Sequence, residues 1–429
     1  MSSMQRNWLL FLLAGIFLGV TGGMYDSTFN NYLNDVFKMS ASTRGWLEFP
    51  REFPGVSIVF VSMLLGFLPE TKMASLAVAM WAAGLAGLAF FASGFSMLVV
   101  WMMLWSIGTH LYMPLSQAIG VSVAEKGKVG RYLGNFAGAN TAAVIAGAGF
   151  IMIGNRFLGV GYRSIFGLAA LSTSLAAIAF LLMKIQPSRD DNSPAPASPP
   201  RRRLVLKRKY GLFYVLNVLY GARKQVFLTF GPWVLIKIFG QPASTIALLW
   251  IISAILGILF KPILGRLVDS LGERKILMGE AVVLILICLG YCTGDGVRLW
   301  GMNIGLYLVC ACFVLDQLMM AVGIARTTYL NKIADTPADL TPTLAMGISM
   351  DHVVSMSVPT LGGLLWQKMG FEYVFLAAAC VAFMNLFAAS RIRVPETPGG
   401  VEAPEGIQKT AGGLGGLTTA SVGRVRLMK

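Results

Sequence analysis

Twelve stretches of about 20 or more mostly apolar residues follow one another along the chain. Each is long enough to cross the roughly 30 Å hydrocarbon core of a bilayer. Inside lipid no water is available to the backbone, so a spanning segment must satisfy its own N–H and C=O groups. A helix does this alone, whereas a barrel would show many short alternating strands, and the sequence shows none. The stretches run about Trp8–Leu33, Thr43–Leu68, Met73–Ser93, Ser96–Ala124, Arg131–Asn155 and Tyr162–Lys184 in the first half. In the second half they run about Tyr210–Ile236, Ser244–Leu264, Ile276–Thr293, Leu299–Leu330, Thr343–Trp366 and Tyr373–Arg391. The pattern predicts an all-α membrane protein with twelve transmembrane helices.

Composition agrees. Of 429 residues 56% are hydrophobic and only 13% charged, about half the charge a water-facing surface carries. The net charge of +15 is explained by membrane topology better than by nucleic acid, which such an apolar chain has little surface to bind. The five cysteines all lie in apolar runs of the second half, which is no secreted disulfide framework. The first apolar run lacks an A-x-A-like cleavage site, so it reads as a span and not as a signal peptide.

The chain divides into a six-helix bundle (1–185), a linker (186–209), a second six-helix bundle (210–393) and a tail (394–429). The linker contains Ser193-Pro-Ala-Pro-Ala-Ser-Pro-Pro-Arg-Arg-Arg203, a solvated composition. The glycine- and threonine-rich tail reads as disordered. With the amino terminus in the cytoplasm, seven basic residues fall outside: Lys38, Arg44, Arg156, Arg163, Lys237, Arg298 and Lys368. Five more (Arg51, Arg223, Lys224, Lys261, Arg326) lie within or near the ends of spans, and the other 23 of 35 fall on the cytoplasmic side. The positive-inside rule therefore puts both termini in the cytoplasm, and a bacterial inner membrane is the expected location.

The two halves also resemble each other. A shift of 202 lays Trp8-Leu-Leu-Phe over Tyr210-Gly-Leu-Phe and Ser40-Ala-Ser-Thr43 over Pro242-Ala-Ser-Thr245. Gly161-Tyr-Arg-Ser-Ile-Phe166 likewise matches Gly370-Phe-Glu-Tyr-Val-Phe375. Ordered matches of this kind point to a duplicated six-helix unit.

Between the eighth and ninth stretches stands Gly265-Arg-Leu-Val-Asp269-Ser-Leu-Gly272-Glu-Arg274-Lys275. It resembles the G-x-x-x-D-x-x-G-x-R-K loop motif of the major facilitator superfamily. The resemblance implies a latch in which Asp269, at a helix end, pairs with basic loop residues to hold one conformation. The first-half copy, Gly66-Phe-Leu-Pro-Glu70-Thr-Lys72, has lost the second glycine and the basic pair. Asp26-Ser-Thr28-Phe-Asn30-Asn31 is similar to the D-x-T-x-x-N stretch of proton-coupled efflux proteins, and Pro359-Thr-Leu-Gly362-Gly363 to their G-P-x-x-G-G element. The fifth span lacks that element's proline, and the fourth lacks those antiporters' arginine. The superfamily resemblance implies two six-helix halves that expose a central site alternately to either side.

Ionisable residues inside spans are functional candidates by default. In Glu48-Phe-Pro-Arg51-Glu52-Phe-Pro54 three charges share one helix face. Two carboxylates on one arginine suit proton carriage, or equally a structural charge cluster beside a proline kink. Asp26, Glu48, Glu52, Asp316 and Asp351 are the proton-coupling candidates. Arg223 lies about 20 Å from the start of its span, too deep for easy snorkelling. It is either an anion-binding fork or the fixed partner of Asp316 or Asp26. Arg51, Lys224, Asn31, His110, Gln317 and His352 complete the substrate-binding candidates. Arg326, nearer the cytoplasm, reads as topological charge. Cys310 and Cys312 point about 200° apart on a helix, which argues against shared metal coordination there.

No Walker lysine loop, H-E-x-x-H or G-x-S-x-G is present, so neither ATP-driven nor common hydrolytic chemistry is expected, and no cofactor. The leading expectation is a proton-coupled secondary transporter of a small organic anion or zwitterion, working as a monomer in the bilayer. The partial resemblance to efflux proteins suggests the outward direction. Two alternatives stand beside it: a divalent-metal (for example iron) carrier using Asp26, Asp351, His352 and cysteines, and a non-transporting sensor or scaffold.

Overall fold

A computed structural model describes residues 3–64, 68–125, 127–184, 207–299 and 302–393. Most of the linker, the whole tail, and Gly66 and Phe67 of the degraded loop copy lie outside the described residues.

Helices occupy all twelve expected positions. The first half holds α1 (Ser3–Asp35), α2 (Ala41–Trp46), α3 (Glu48–Leu64), α4 (Glu70–Phe90), α5 (Phe95–Ser122), α6 (Val129–Phe157) and α7 (Tyr162–Leu182). The second holds α8 (Gly211–Lys237), α9 (Ala243–Leu271), α10 (Glu273–Thr293), α11 (Gly305–Met319), α12 (Gly323–Ile333), α13 (Pro337–Met369) and α14 (Phe371–Ser390). Two positions are filled by broken helices. Pro50 has no N–H to give the Trp46 carbonyl, and α2 and α3 part at Leu47. In the tenth position a 3₁₀ turn, Met320–Val322, separates α11 from α12.

The tenth stretch also starts later than the sequence predicts. Leu299 pairs with Met302 and Arg298 with Asn303 in a two-residue antiparallel ladder, and the helix begins at Gly305. Among the described residues, nine helical positions are long and apolar enough to cross a membrane. The other three, α2–α3, α8 and α13, carry charged residues in mid-helix: Glu48, Arg51, Glu52, Arg223, Lys224 and Asp351.

Lipid acts as the outer solvent. On α7, Leu168, Leu171, Leu175, Ile178 and Leu182 form an exposed stripe at helical spacing, while Ala169, Thr173, Ala176 and Phe180 are buried. Small residues on the buried face let helices approach closely where no hydrophobic force drives them together. The third position packs on the sixth (α4 on α7) and the first on the fifth (α1 on α6). The second half repeats this, with α10 on α14 and α8 on α13, as expected of a duplicated unit.

Two main seams join the halves, α2–α3 against α13 and α6 against α9, and between them α1 and α2 also touch α8, with α1 against α9. At the face opposite the termini the first seam closes tightly. A Cβ on Gly45 would stand 2.1 Å from the Pro359 carbonyl oxygen, and one on Gly363 would stand 2.5 Å from that of Ala41. The Pro359–Gly363 element thus serves close helix contact across the seam. Asn31 Nδ2 adds a hydrogen bond to the Gln241 carbonyl at 3.0 Å. Toward the terminal face, α6 from Val129 to Ala142 contains no buried residue.

Candidate functional site

The charges of α2 and α3 form one network. Glu48 is 1% exposed and takes Arg44 on Oε1. Its Oε2 accepts from Arg51 Nε at 2.6 Å and from Gln225 Nε2 of α8 at 2.5 Å. Arg51 Nη2 also lies 2.5 Å from Glu52 Oε1. Arg44 Nε donates to Asn30 Oδ1 at 2.9 Å. Two arginines meet two carboxylates, so the cluster is balanced in charge and fits a structural charge cluster better than proton carriage by Glu48 or Glu52. Arg44, read from sequence as an outer-loop residue, is 4% exposed and supplies the missing cation. Its spacing of four from Glu48 was the signal.

Both histidines of the chain converge on Glu52. His352 Nδ1 of α13 is 2.9 Å from Glu52 Oε2, and His110 Nε2 of α5 is 3.9 Å from the same oxygen. The two rings meet edge-on with centroids 5.2 Å apart. Gly55, one turn after Glu52, makes the space: a Cβ there would lie 2.7 Å from His352 Nδ1 and 2.9 Å from His110 Cδ2. His110 Nδ1 sits 2.9 Å from the Ser106 carbonyl oxygen.

A cavity of about 210 Å³ opens between the halves beside this network. Asp26, Asn30, Arg44, Glu48 and Arg51 line it from α1 to α3, and Leu228, Pro232, Trp250, Phe313 and Gln317 from α8, α9 and α11. Tyr25 and Phe29 stack at 4.7 Å on one side, and Trp250 meets Phe313 edge-on at 5.9 Å on the other. The Asp26 carboxylate is open to the cavity and, among the described residues, has neither a hydrogen bond nor an ion pair. The charged groups facing it are Arg44, Glu48 and Arg51; the second half contributes no charge to the described lining. With the arginine–glutamate quartet neutral in sum, an ionised Asp26 gives the site a net charge of −1.

Several residues picked from sequence lie elsewhere. Arg223 is 2% exposed, with Nη1 3.3 Å from Asp316 Oδ1 and Nη2 3.3 Å from Glu280 Oε1. Arg326 Nη1 closes the set at 3.1 Å from Glu280 Oε2, its guanidinium 3.8 Å from the Tyr220 ring centroid. This second neutral quartet ties α8, α10, α11 and α12 together inside one half, away from the cavity. Arg223 and Asp316 are therefore partners, and Arg326 is a buried ion-pair residue rather than topological charge. Glu280, overlooked in the ninth stretch, joins both arginines; an acid inside a span was signal enough.

Lys224 Nζ pairs with Asp351 Oδ2 at 2.5 Å, within the second half. Asp26 and Asp351 do not join His352 in a cluster; among the described residues the group of potential ligands is Glu52, His110 and His352. Asn31 spends its amide on the seam and is not part of the cavity lining. In the loop motif, Gly272 holds φ at +78°, which suits glycine alone. Asp269, Arg274 and Lys275 are exposed and form no ion pair with the described residues in this conformation, so the expected latch is not engaged.

The family model of the major facilitator superfamily matches residues 53–350. The chain belongs to that superfamily of transporters. The structure of a mutant of the nucleoside transporter NupG superposes with a TM-score of 0.74 at 14% identity, over 89% of this chain and 98% of that one. A bacterial homologue of the human lysosomal transporter Spinster, inward-facing and occupied, gives 0.66 at 15% identity, over 91% and 98%. At such identity the likeness is one of fold. A sequence comparison with curated proteins finds no match. The chain is an integral, multi-pass membrane protein with the superfamily fold.

Proposed function

We propose that the protein is a proton-coupled carrier of a compact organic zwitterion or cation. In this reading a cationic nitrogen of the solute and a proton compete for Asp26. The observation that carries it is the Asp26 carboxylate, unpaired in a cavity between the halves while the other described acids in mid-span have cationic partners. A carboxylate that faces an open cavity with no fixed cation on it is free to take up either a proton or the cationic group of a solute. The half-buried Trp250 lines the cavity together with Tyr25, Phe29 and Phe313, and its ring can attract a cationic nitrogen. A volume of about 210 Å³ is below the roughly 300–1,000 Å³ of drug-sized pockets, so the solute is small.

A purely anionic solute fits less well. Arg223 was the residue that suggested an anion, and its side chain is committed to two carboxylates. Arg51 also holds two carboxylates, but it lines the cavity and keeps 20% of its side chain exposed, so it can meet the carboxylate of a zwitterion from the cavity edge.

Competition at one carboxylate gives exchange, a proton entering as solute leaves, and the closed seam at the face remote from the termini corresponds to one end state of alternating access. With the termini cytoplasmic, as the distribution of lysine and arginine supports, that state faces inward. The location is a bacterial inner membrane and the working unit a monomer. The test is flux of labelled zwitterions in proteoliposomes with and without an imposed pH gradient. Flux indifferent to the gradient removes the proton from the account.

A further inference from the structure

We propose that Glu52, His110 and His352 form a site for one divalent transition-metal ion of the zinc class, and that the ion staples the two halves in the arrangement seen here. The site is separate from Asp26 and stands or falls independently of the reading given to that residue.

The donor atoms have the right spacing and chemistry. One ligand atom from each of the three residues lies within 4.8 Å of the other two. Tetrahedral coordination at about 2.0–2.1 Å needs donor atoms about 3.3 Å apart. The separations of 2.9 Å for His352 Nδ1 and 3.9 Å for His110 Nε2 from Glu52 Oε2 bracket that value. Two imidazoles and a carboxylate suit zinc and its neighbours in the first transition row, and leave a coordination position open.

The surroundings orient the donors. His110 Nδ1 lies 2.9 Å from the Ser106 carbonyl and 3.1 Å from its hydroxyl, whose own proton goes to the Arg51 carbonyl; both oxygens accept there, which favours the tautomer with Nδ1–H and leaves Nε2 a lone pair for a metal. Such a backbone bond to the non-ligating nitrogen fixes the tautomer at metal-binding histidines. Glu52 Oε1 is held by Arg51, which leaves Oε2 for the ion. A metal ion would replace the proton that now joins His352 to Glu52. Gly55 provides the clearance that lets both rings reach one oxygen.

The three ligands come from both halves. Glu52 and His110 belong to α3 and α5 of one half, and His352 to α13 of the other. An ion holding all three favours the joined state by mass action over any state in which α3 and α13 separate.

The experiment uses the full-length protein in detergent, freed of metal by chelator and titrated calorimetrically with Zn²⁺. One ion per chain is expected, with affinity at least about tenfold weaker in His110→Ala and in His352→Ala. Cys288→Ala and Cys312→Ala should bind as wild type. Co²⁺ should show visible d–d bands in the wild type that His352→Ala abolishes. Glu52→Gln, which keeps the side-chain shape, serves if a histidine variant does not fold. Amide exchange should slow in α3 and α13 together on adding Zn²⁺. Unchanged zinc affinity in both histidine variants, loss only in the cysteine variants, or protection confined to one half would each overturn the proposal.

Discussion

The carboxylate of Glu48 lies 2.5 Å from the Gln225 amide, so a buried acid of the first half is held by a neutral donor of the second. The bond crosses the seam on which alternating access must turn. It is strong enough to hold and, with an uncharged donor, cheap enough to break. Removing the donor strands no charge, because Arg44 and Arg51 still hold Glu48.

Gln225→Ala should therefore destabilise only the joined state, by about 1.5–3 kcal/mol for a hydrogen bond to a charged group. Glu48→Ala instead leaves two arginines short of a partner and should cost about 3–5 kcal/mol. Thermal unfolding in detergent orders the variants, with Glu48→Ala much the less stable. Equal losses would mean that the network is not shared as described.

Arg223→Ala strands Asp316, which is 1% exposed, and leaves Glu280 with Arg326 alone. The expected loss is about 3–5 kcal/mol of stability with or without any solute. Full stability together with weakened solute binding would return Arg223 to the binding site.

Gly363→Ala places a methyl group where the Ala41 carbonyl oxygen now stands 2.5 Å from the virtual Cβ. Backbone cannot yield as a side-chain tip can, so α2 and α13 should part at the face opposite the termini. Thiol labelling of a cysteine introduced at Ser42 should speed up in the Gly363→Ala background. Unchanged labelling would show that the seam is slack.

At the terminal face, Lys207 Nζ lies 2.6 Å from Asp339 and 3.0 Å from Asp335, Lys209 also pairs with Asp335, and the Tyr210 hydroxyl donates to Asp339. Hydrogen bonds from Lys209 and then Lys207 hold the Asp335 carboxyl below the usual range, and those from Lys207 and then Tyr210 do so for Asp339. A depressed carboxylate stabilises above its unfolded pKa, about 3.9, and that contribution disappears as pH falls through the lower folded value. Being exposed, the cluster is also screened by salt. Amide exchange at Asp335, corrected for its intrinsic pH dependence, should rise only below about pH 4 or at high salt. A rise near neutral pH would contradict this.

The twelve spans were legible because lipid demands them: run length and the backbone's need for partners leave almost no other fold. Charge pairing was legible only where partners share a helix, as Arg51 does with Glu48 and Glu52. Arg223 with Glu280 and Glu52 with His352 join helices 57 and 300 residues apart, and periodicity carries no such information. For that reason Gln225 was overlooked and the two readings of Arg223 could not be separated, whereas Glu280 was visible as an acid inside a span. Asp26 stood out in the sequence through its neighbours, but only the packing shows that it lacks a partner.

The most direct test concerns Asp26. Affinity for a zwitterionic solute selected by the flux screen is measured calorimetrically across pH in wild type and in Asp26→Asn. In the wild type affinity should fall as pH is lowered, because a protonated Asp26 cannot pair with the solute's cation. In Asp26→Asn affinity should be weaker and flat with pH over the same range. A pH dependence that survives Asp26→Asn unchanged would contradict the account.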